Sequence, residues 1–249
     1  MGDDHRVVVV TGGSRGIGRE ACRAFAARGD TVVVASRKAE ACTALAAELT
    51  AEFGTRALGV GCHVGRWSDC DALVDRVLEE FGRVDVLVNN AGMSPLYGSL
   101  TEVTEELFDK VLAVNLRGAF RLGARCGELM AAASGGAIVN VSSVAAVVPN
   151  PRELPYAAAK AGLNALTVGL ARAYAPSVRV NTVMPGPIRT DIADHWTDEF
   201  REAVRTDVPA GRVGEAAEVV GAILYLTGPD AGYTTGATIK VDGGMAWHP

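Results

Sequence analysis

The sequence predicts an α/β protein, a single domain built on a doubly wound, mainly parallel seven-stranded sheet with helices on both faces. Three observations predict it. Seven short runs rich in β-branched residues alternate with longer stretches of helical periodicity, the pattern of a helix-covered parallel sheet. Several of those runs are continuously apolar, as strands buried on both faces should be. No linker or compositional break divides the 249 residues, so residues 1–249 read as one domain. Right-handed crossovers then put ligands at the carboxyl ends of the strands.

The elements follow in order. Val7–Val10 is the first strand and runs into a glycine-rich turn, after which Ile17, Ala21, Ala24 and Arg28 share one side of a helix. Thr31–Ala35 and Ala57–Cys62 are the second and third strands. Trp67-Ser68-Asp69 opens a helix whose apolar residues Leu73, Val74, Val77, Leu78 and Phe81 recur at helical spacing until Gly82 stops it. Val84–Val88 is the fourth strand, followed by a helical stretch after Thr104. Ala137–Val141, Val178–Val183 and Thr238–Val241 complete the sheet, and Glu215 to Leu226 is a further helix carrying Val219, Val220, Ile223 and Leu224.

Composition narrows the function. The chain holds 24 basic and 29 acidic residues, a net charge of −5, which argues against nucleic acid as a partner. The 29 glycines have no repeat period, so collagen-like and low-complexity readings fail. The longest uncharged run, Leu129 to Pro151, has the length of a membrane span but contains Ser134, Asn140, Ser142, Ser143 and Asn150, polar groups that lipid would leave unsatisfied. The start, Met1-Gly2-Asp3-Asp4-His5, lacks a basic patch followed by an apolar stretch, and the five cysteines are odd in number with no CxxC pair. A cytoplasmic protein with reduced thiols is expected. The four histidines are dispersed, so no structural metal is expected.

The strand Val7–Val10 enters Thr11-Gly12-Gly13-Ser14-Arg15-Gly16-Ile17-Gly18, and a helix follows. A strand, a glycine turn and a helix N-terminus form an anion site, because backbone N–H groups and the helix dipole face the phosphate and glycine lets the backbone approach it. The spacing G-x3-G-x-G differs from the GxGxxG dinucleotide fingerprint, and a plain tight turn is the bland alternative. The second strand ends at Ala35-Ser36-Arg37, where a carboxylate would accept bonds from the adenosine ribose of NAD. Ser36 and Arg37 stand there instead. Arg37 from the strand end and Arg15 from the turn can face a 2′-phosphate, so NADP(H) is expected ahead of NAD(H).

Three further segments complete a set: Asn89-Asn90-Ala91-Gly92 after the fourth strand, Ser143 after the fifth, and Tyr156-Ala157-Ala158-Ala159-Lys160 opening a helix. With Thr11 to Gly18, and with Ser143 thirteen residues before Tyr156, this closely resembles the short-chain dehydrogenase/reductase family in its single-domain Rossmann form. The resemblance spans nearly the whole chain, through Pro185-Gly186 to Val241-Asp242-Gly243-Gly244. It implies Tyr156 as the acid that protonates a carbonyl oxygen, and as the base in alcohol oxidation. Lys160, four residues on and so on the same helix face, is expected to lower the phenol's pKa from its usual value of about 10. The resemblance also has Lys160 hydrogen-bond the nicotinamide ribose. Ser143 would hold and polarise the substrate oxygen, with Ser142 pointing away because strand neighbours alternate.

By the same resemblance Asn115 distorts its helix and holds water in a proton relay behind Lys160; the bland reading of a buried helix Asn is a bond to local backbone. The segment Asn89 to Gly92, with Ala91, would pass beside the adenine ribose and steady the central strands. Pro185, Gly186, Ile188 and Thr190 would meet the nicotinamide carboxamide, Ile188 through its backbone and Thr190 through its hydroxyl. One departure stands out: where the family usually has an Asp facing the adenine amino group, this chain has Cys62-His63-Val64. A neutral His63 imidazole could accept one bond there; the bland reading is an exposed residue at the strand end. A substrate lid is expected around residues 190–210, with His195 and Trp196 in it and neither catalytic.

The resemblance therefore implies an NADP(H)-dependent oxidoreductase interconverting a small ketone or aldehyde and an alcohol. A 3-oxoacyl-[acyl-carrier-protein] reductase is the alternative, set back because Met130 to Ser134 and Ala175 to Ser177 offer no basic residue to an acidic carrier, although Arg125, Arg172 and Arg179 lie nearby. A non-catalytic dinucleotide sensor or scaffold would not need both Tyr156 and Lys160. A sugar-nucleotide epimerase or dehydratase needs a larger region after Lys160. A homotetramer is implied as well, with small residues Ala157, Ala158, Ala161, Gly162 and Ala165 permitting close helix contact; their alternative is packing onto the sheet.

Overall fold

A computed structural model describes residues 5–190, 202, 204 and 206–246. The elements are β1 (Val7–Thr11), α1 (Gly16–Ala26), β2 (Thr31–Ser36), α2 (Ala39–Phe53), β3 (Ala57–Gly61), α3 (Trp67–Phe81), β4 (Val86–Asn89), α4 (Glu105–Leu112), α5 (Gly118–Ala132), β5 (Gly136–Val141), α6 (Leu154–Tyr174), β6 (Val178–Pro185), β7 (Ile188–Arg189), β8 (Gly214–Glu215), α7 (Ala216–Thr227) and β9 (Thr238–Val241). Seven of the strands form one sheet in the order β3-β2-β1-β4-β5-β6-β9, with every neighbouring pair parallel. The doubly wound fold class expected from the sequence is the observed one.

Alternation along each strand divides the core into two layers. Val8 and Val10 of β1 pack with Phe25 of α1, Leu45 and Leu49 of α2 and Ile223 of α7. Val7 and Val9 face the other side, with Leu73 and Val77 of α3, Leu122 and Met130 of α5 and Leu170 of α6. Gly82 ends α3 as anticipated: its φ of 71° is a left-handed conformation, and its N–H donates to the Leu78 carbonyl. The uncharged run Leu129 to Pro151 is the end of α5, β5 and two short turns. Among the described residues no helix is long and apolar enough to cross a membrane.

Two strand boundaries differ from expectation for local reasons. Val84 is buried, yet regular pairing starts only at Val86, because the Asp85 carboxylate accepts the Val7 N–H at 2.8 Å. β6 continues past Val183 to Pro185. Its last partner toward β5 is Val141, and beyond that point a proline leaves no ladder bond unmade. A small separate pair, β7 with β8, was not foreseen. The sheet order reverses at β1, whose neighbours are β2 and β4, so a crevice opens beyond the carboxyl ends of β1 and β4.

Candidate active site

That crevice is stitched together by two side chains the sequence reading did not single out. The Thr11 hydroxyl donates to the Val88 carbonyl at 3.3 Å and accepts the N–H groups of Asn90 and Ala91 at 3.0 and 3.1 Å. The Asn90 amide donates in turn to the carbonyls of Thr11 (2.9 Å) and Gly12 (3.3 Å). A Cβ at Gly12 would lie 2.8 Å from that amide nitrogen, and Gly12 sits at φ 64°, so the turn tolerates no side chain there. Thr190 comes against the same turn: its Cγ2 lies 3.2 Å from where a Gly16 Cβ would be. Gly12, Gly16 and Gly18 of the turn are thus brought against Asn90, Ala91 and Thr190.

The opening fits a dinucleotide. Helix α1 starts at Gly16 with no side-chain cap at Arg15 and no acidic residue in its first turn, so its leading N–H groups are left for an anion. Arg15 in the glycine turn and Arg37 at the end of β2 are exposed and form no ion pair among the described residues, whereas Arg19 and Arg23 of α1 are engaged by Glu48 and Glu52. The Ser36 hydroxyl lies 3.0 Å from the Cys42 thiol. Val64 is buried, and its carbonyl accepts from the Cys70 thiol at 3.3 Å.

His63 departs from expectation. Its Nδ1 accepts the Gly65 N–H at 3.2 Å, and its own backbone N–H is held by the Asp69 carboxylate at 3.1 Å. A lone pair on Nδ1 puts the proton of the neutral ring on Nε2, which makes the free edge a donor. The imidazole therefore does not present the acceptor expected for an adenine amino group. Asn89 is a second correction. Its side chain turns away from the crevice into the core, donating to Asn140 Oδ1 at 2.9 Å and to the Ala119 carbonyl at 3.3 Å. Adjacent strand residues face opposite sides, and Asn90 is the one that reaches the glycine turn.

The reactive side chains meet at the end of β5. Ser142 turns beneath α6, its hydroxyl donating to the Lys160 carbonyl at 3.3 Å, while the Ser143 hydroxyl accepts the Ala145 N–H at 3.2 Å and is near enough to the Tyr156 phenol to influence its ionisation. Lys160 is 3% exposed; its Nζ donates to the Val141 carbonyl at 2.7 Å and stands 5.6 Å from the centroid of the Tyr156 ring. Between α4 and α5 the backbone opens into a π turn, Ala113–Arg117, centred on Asn115. The Asn115 amide donates to the carbonyls of Met93 and Val111, both at 2.9 Å, and accepts the Met93 N–H at 3.1 Å. Its side chain is thus spent on backbone, and the distortion lies in the helix around it. Gly92 keeps the remaining gap open, since a Cβ there would lie 2.9 Å from Asn115 Oδ1 and 3.6 Å from Lys160 Nζ.

The electrostatics reverse one expectation. Burial pushes the Tyr156 phenol up to about 12; the Ser143 hydrogen bond opposes this and the Glu153 carboxylate adds to it. Burial likewise brings the Lys160 ammonium down to about 8. The chain's own residues therefore hold the phenol in its protonated form instead of acidifying it, with burial the largest influence. Of the expected lid, residues 191–201, 203 and 205 lie outside the described residues, His195 and Trp196 among them.

A doubly wound sheet with a dinucleotide crevice and a hydroxyl, phenol and ammonium at its edge defines the class of nicotinamide-dependent oxidoreductases acting on alcohol and carbonyl groups. Comparison with known proteins narrows this. The family profile described as Enoyl-(Acyl carrier protein) reductase matches residues 12–246. The chain is 40% identical over 247 residues to an L-rhamnose 1-dehydrogenase (NAD(P)(+)) of Azotobacter vinelandii, covering 96% of each. It is 37% identical to the 3-oxoacyl-[acyl-carrier-protein] reductase FabG of Vibrio cholerae, covering 98% of this chain and 99% of that one. A crystal structure of an actinorhodin polyketide ketoreductase variant with NADPH superposes with a TM-score of 0.91 at 33% identity, covering 99% of both chains. The chain belongs to the short-chain dehydrogenase/reductase family.

Proposed function

We propose that this protein is an NADP(H)-dependent reductase of a small ketone or aldehyde, running in reverse on the corresponding alcohol. The observation that carries the reading is the convergence of Ser143, Tyr156 and Lys160: Lys160 Nζ stands 5.6 Å from the centroid of the Tyr156 ring, and Ser143 acts on the same phenol. The bound dinucleotide supplies or accepts the hydride. Ser143 holds the substrate oxygen and stabilises the charge developing on it. Tyr156, protonated at neutral pH, delivers the proton to that oxygen. Lys160 holds the nicotinamide ribose and, with water lodged near Asn115 and Gly92, restores the proton to the phenol. Ile188 and Thr190, against the glycine turn, hold the carboxamide side, with Pro185 and Gly186 fixing their approach.

Preference for NADP(H) over NAD(H) rests on Arg15 and Arg37, two exposed guanidinium groups with no carboxylate partner among the described residues. The solved relative with NADPH supports it. A carrier-bound 3-oxoacyl thioester is the second reading, favoured by the resemblance to the Vibrio reductase. Against it, two of the three nearby arginines are already used: Arg125 pairs with Asp71 and Asp75, and Arg179 donates to the carbonyls of Leu226 and Gly228. The small residues of α6 divide, with Ala157 buried and Ala158, Ala161 and Ala165 exposed, which supports a homotetramer paired through this helix. Light scattering tests the assembly, and a monomeric mass rejects it. A panel of carbonyls and alcohols with each dinucleotide, followed by nicotinamide absorbance, tests the reaction. Turnover of free ketones with NADPH supports the first reading; activity on the carrier-bound thioester alone replaces it with the second.

A further inference from the structure

A row of polar side chains crosses the apolar sheet beneath α6. Asn89 of β4 is the register partner of Asn140 in β5, and Asn140 that of Thr182 in β6. Their neighbours on the same face are Leu87, Ile138 and Val180. The row is bonded sideways, Asn89 Nδ2 donating to Asn140 Oδ1 at 2.9 Å, and it converges on one residue of the helix above. Asn140 Nδ2 donates to Thr167 Oγ1 at 2.9 Å, Thr182 Oγ1 donates to the same oxygen at 2.8 Å, and Thr167 Oγ1 donates to the Leu163 carbonyl at 2.9 Å. Asn140, Thr182 and Thr167 are each no more than 1% exposed. A hydroxyl has one donor and two acceptor positions, so that of Thr167 is saturated.

Apolar helix–sheet packing alone sets the register of a helix loosely, because neighbouring positions of similar shape cost little to exchange. A saturated buried hydroxyl does not slide, since any displacement leaves the Asn140 amide or the Thr182 hydroxyl buried without a partner. Thr167 follows Lys160 by seven residues, two helical turns on the same face, and Ser142 holds the Lys160 carbonyl from below at 3.3 Å. Tyr156 lies about 16 Å further along the axis, so Thr167 touches neither substrate nor dinucleotide. We infer that Thr167 is a positioning residue, whose bonds to Asn140 and Thr182 fix the register of α6 so that Tyr156 meets Ser143 and Lys160 meets the Val141 carbonyl. The inference rests on the proposed role of Tyr156 for its kinetic consequence, though not for its structural one.

The test compares Thr167→Val, Thr167→Ser and, as a control for stability alone, Ile223→Ala in the opposite core layer. Thr167→Val is expected to lower kcat about tenfold, the scale of a small misplacement of reacting groups, with KM changed less than about twofold. It should also shift the Tyr156 ¹³Cζ resonance at neutral pH, through the changed placement of the phenol relative to Ser143. Thr167→Ser should restore both. Ile223→Ala should lower the melting temperature and leave kcat and the resonance unchanged. Loss of melting temperature in Thr167→Val with kcat and resonance at parental values would overturn the inference. Should that variant not fold, Thr182→Val removes one donor only, and either a smaller change in the same direction or none decides the matter. If the parent protein reduces no carbonyl of the panel, the functional reading fails, and the resonance still decides the positioning role.

Discussion

Lys160 Nζ stands 5.6 Å from the centroid of the Tyr156 ring, tied down by the Val141 carbonyl at 2.7 Å. Burial shifts each group toward its uncharged form: the phenol is pushed up to about 12 and the ammonium brought down to about 8. A protonated phenol at neutral pH is the state a carbonyl reduction consumes, whereas alcohol oxidation calls for the phenolate.

Burial of Lys160 makes stability depend on pH. Its folded pKa lies below the unfolded value of about 10.4, so between roughly pH 8 and 10 the unfolded chain binds more protons and stability rises with pH. The gain across that window is at most ~3 kcal/mol from this group. Lys160→Met should remove the rise and be more stable than the parent at pH 7, as read from denaturant midpoints at pH 7 and 9.5. A variant with the parental pH dependence would show that the ammonium is not desolvated.

Glu153 raises the Tyr156 pKa by its charge and touches the Ser94 hydroxyl. Glu153→Gln keeps an acceptor for Ser94 and removes the charge. The alkaline limb of the pH–rate profile should therefore move to lower pH, with the reverse reaction gaining rate near pH 9. A limb that stays put or moves upward would separate Glu153 from the phenol.

Arg37→Ala should weaken NADPH binding by about 1.5–3 kcal/mol, the scale of a hydrogen bond to a charged group, and barely alter NADH. Fluorescence titration with both dinucleotides checks this. Equal losses for the two would contradict a contact with the 2′-phosphate.

Gly92→Ala would drive a methyl group to 2.9 Å from Asn115 Oδ1, and three hydrogen bonds to backbone prevent that side chain from retreating. Overpacking there should cost about 1–3 kcal/mol of stability. If the gap shared with Lys160 carries protons, turnover should fall about tenfold or more while dinucleotide binding holds. Unchanged turnover would show that the gap is not used.

Much of this was legible in the sequence because it is local. Continuous apolar runs such as Val7–Val10 identified the strands, Gly82 the end of α3, and strand alternation the opposite directions of Ser142 and Ser143. Alternation also separates Asn89 from Asn90, and applying it there would have identified Asn90 as the residue reaching the glycine turn. Other features are tertiary. The π turn at Asn115 depends on Met93, twenty-two residues away, meeting its side chain. The tautomer of His63 follows from a turn that closes on Gly65. The pKa of Tyr156 is decided above all by what α6 packs against, and a sequence shows the cation four residues on but not the burial.

The role of Tyr156 is tested most directly by single-turnover oxidation of bound NADPH on a ketone substrate, comparing the parent with Tyr156→Phe. The phenylalanine variant should bind NADPH with nearly parental affinity and transfer hydride about 10²–10⁴ times more slowly. Hydride transfer at the parental rate would contradict Tyr156 as the proton donor.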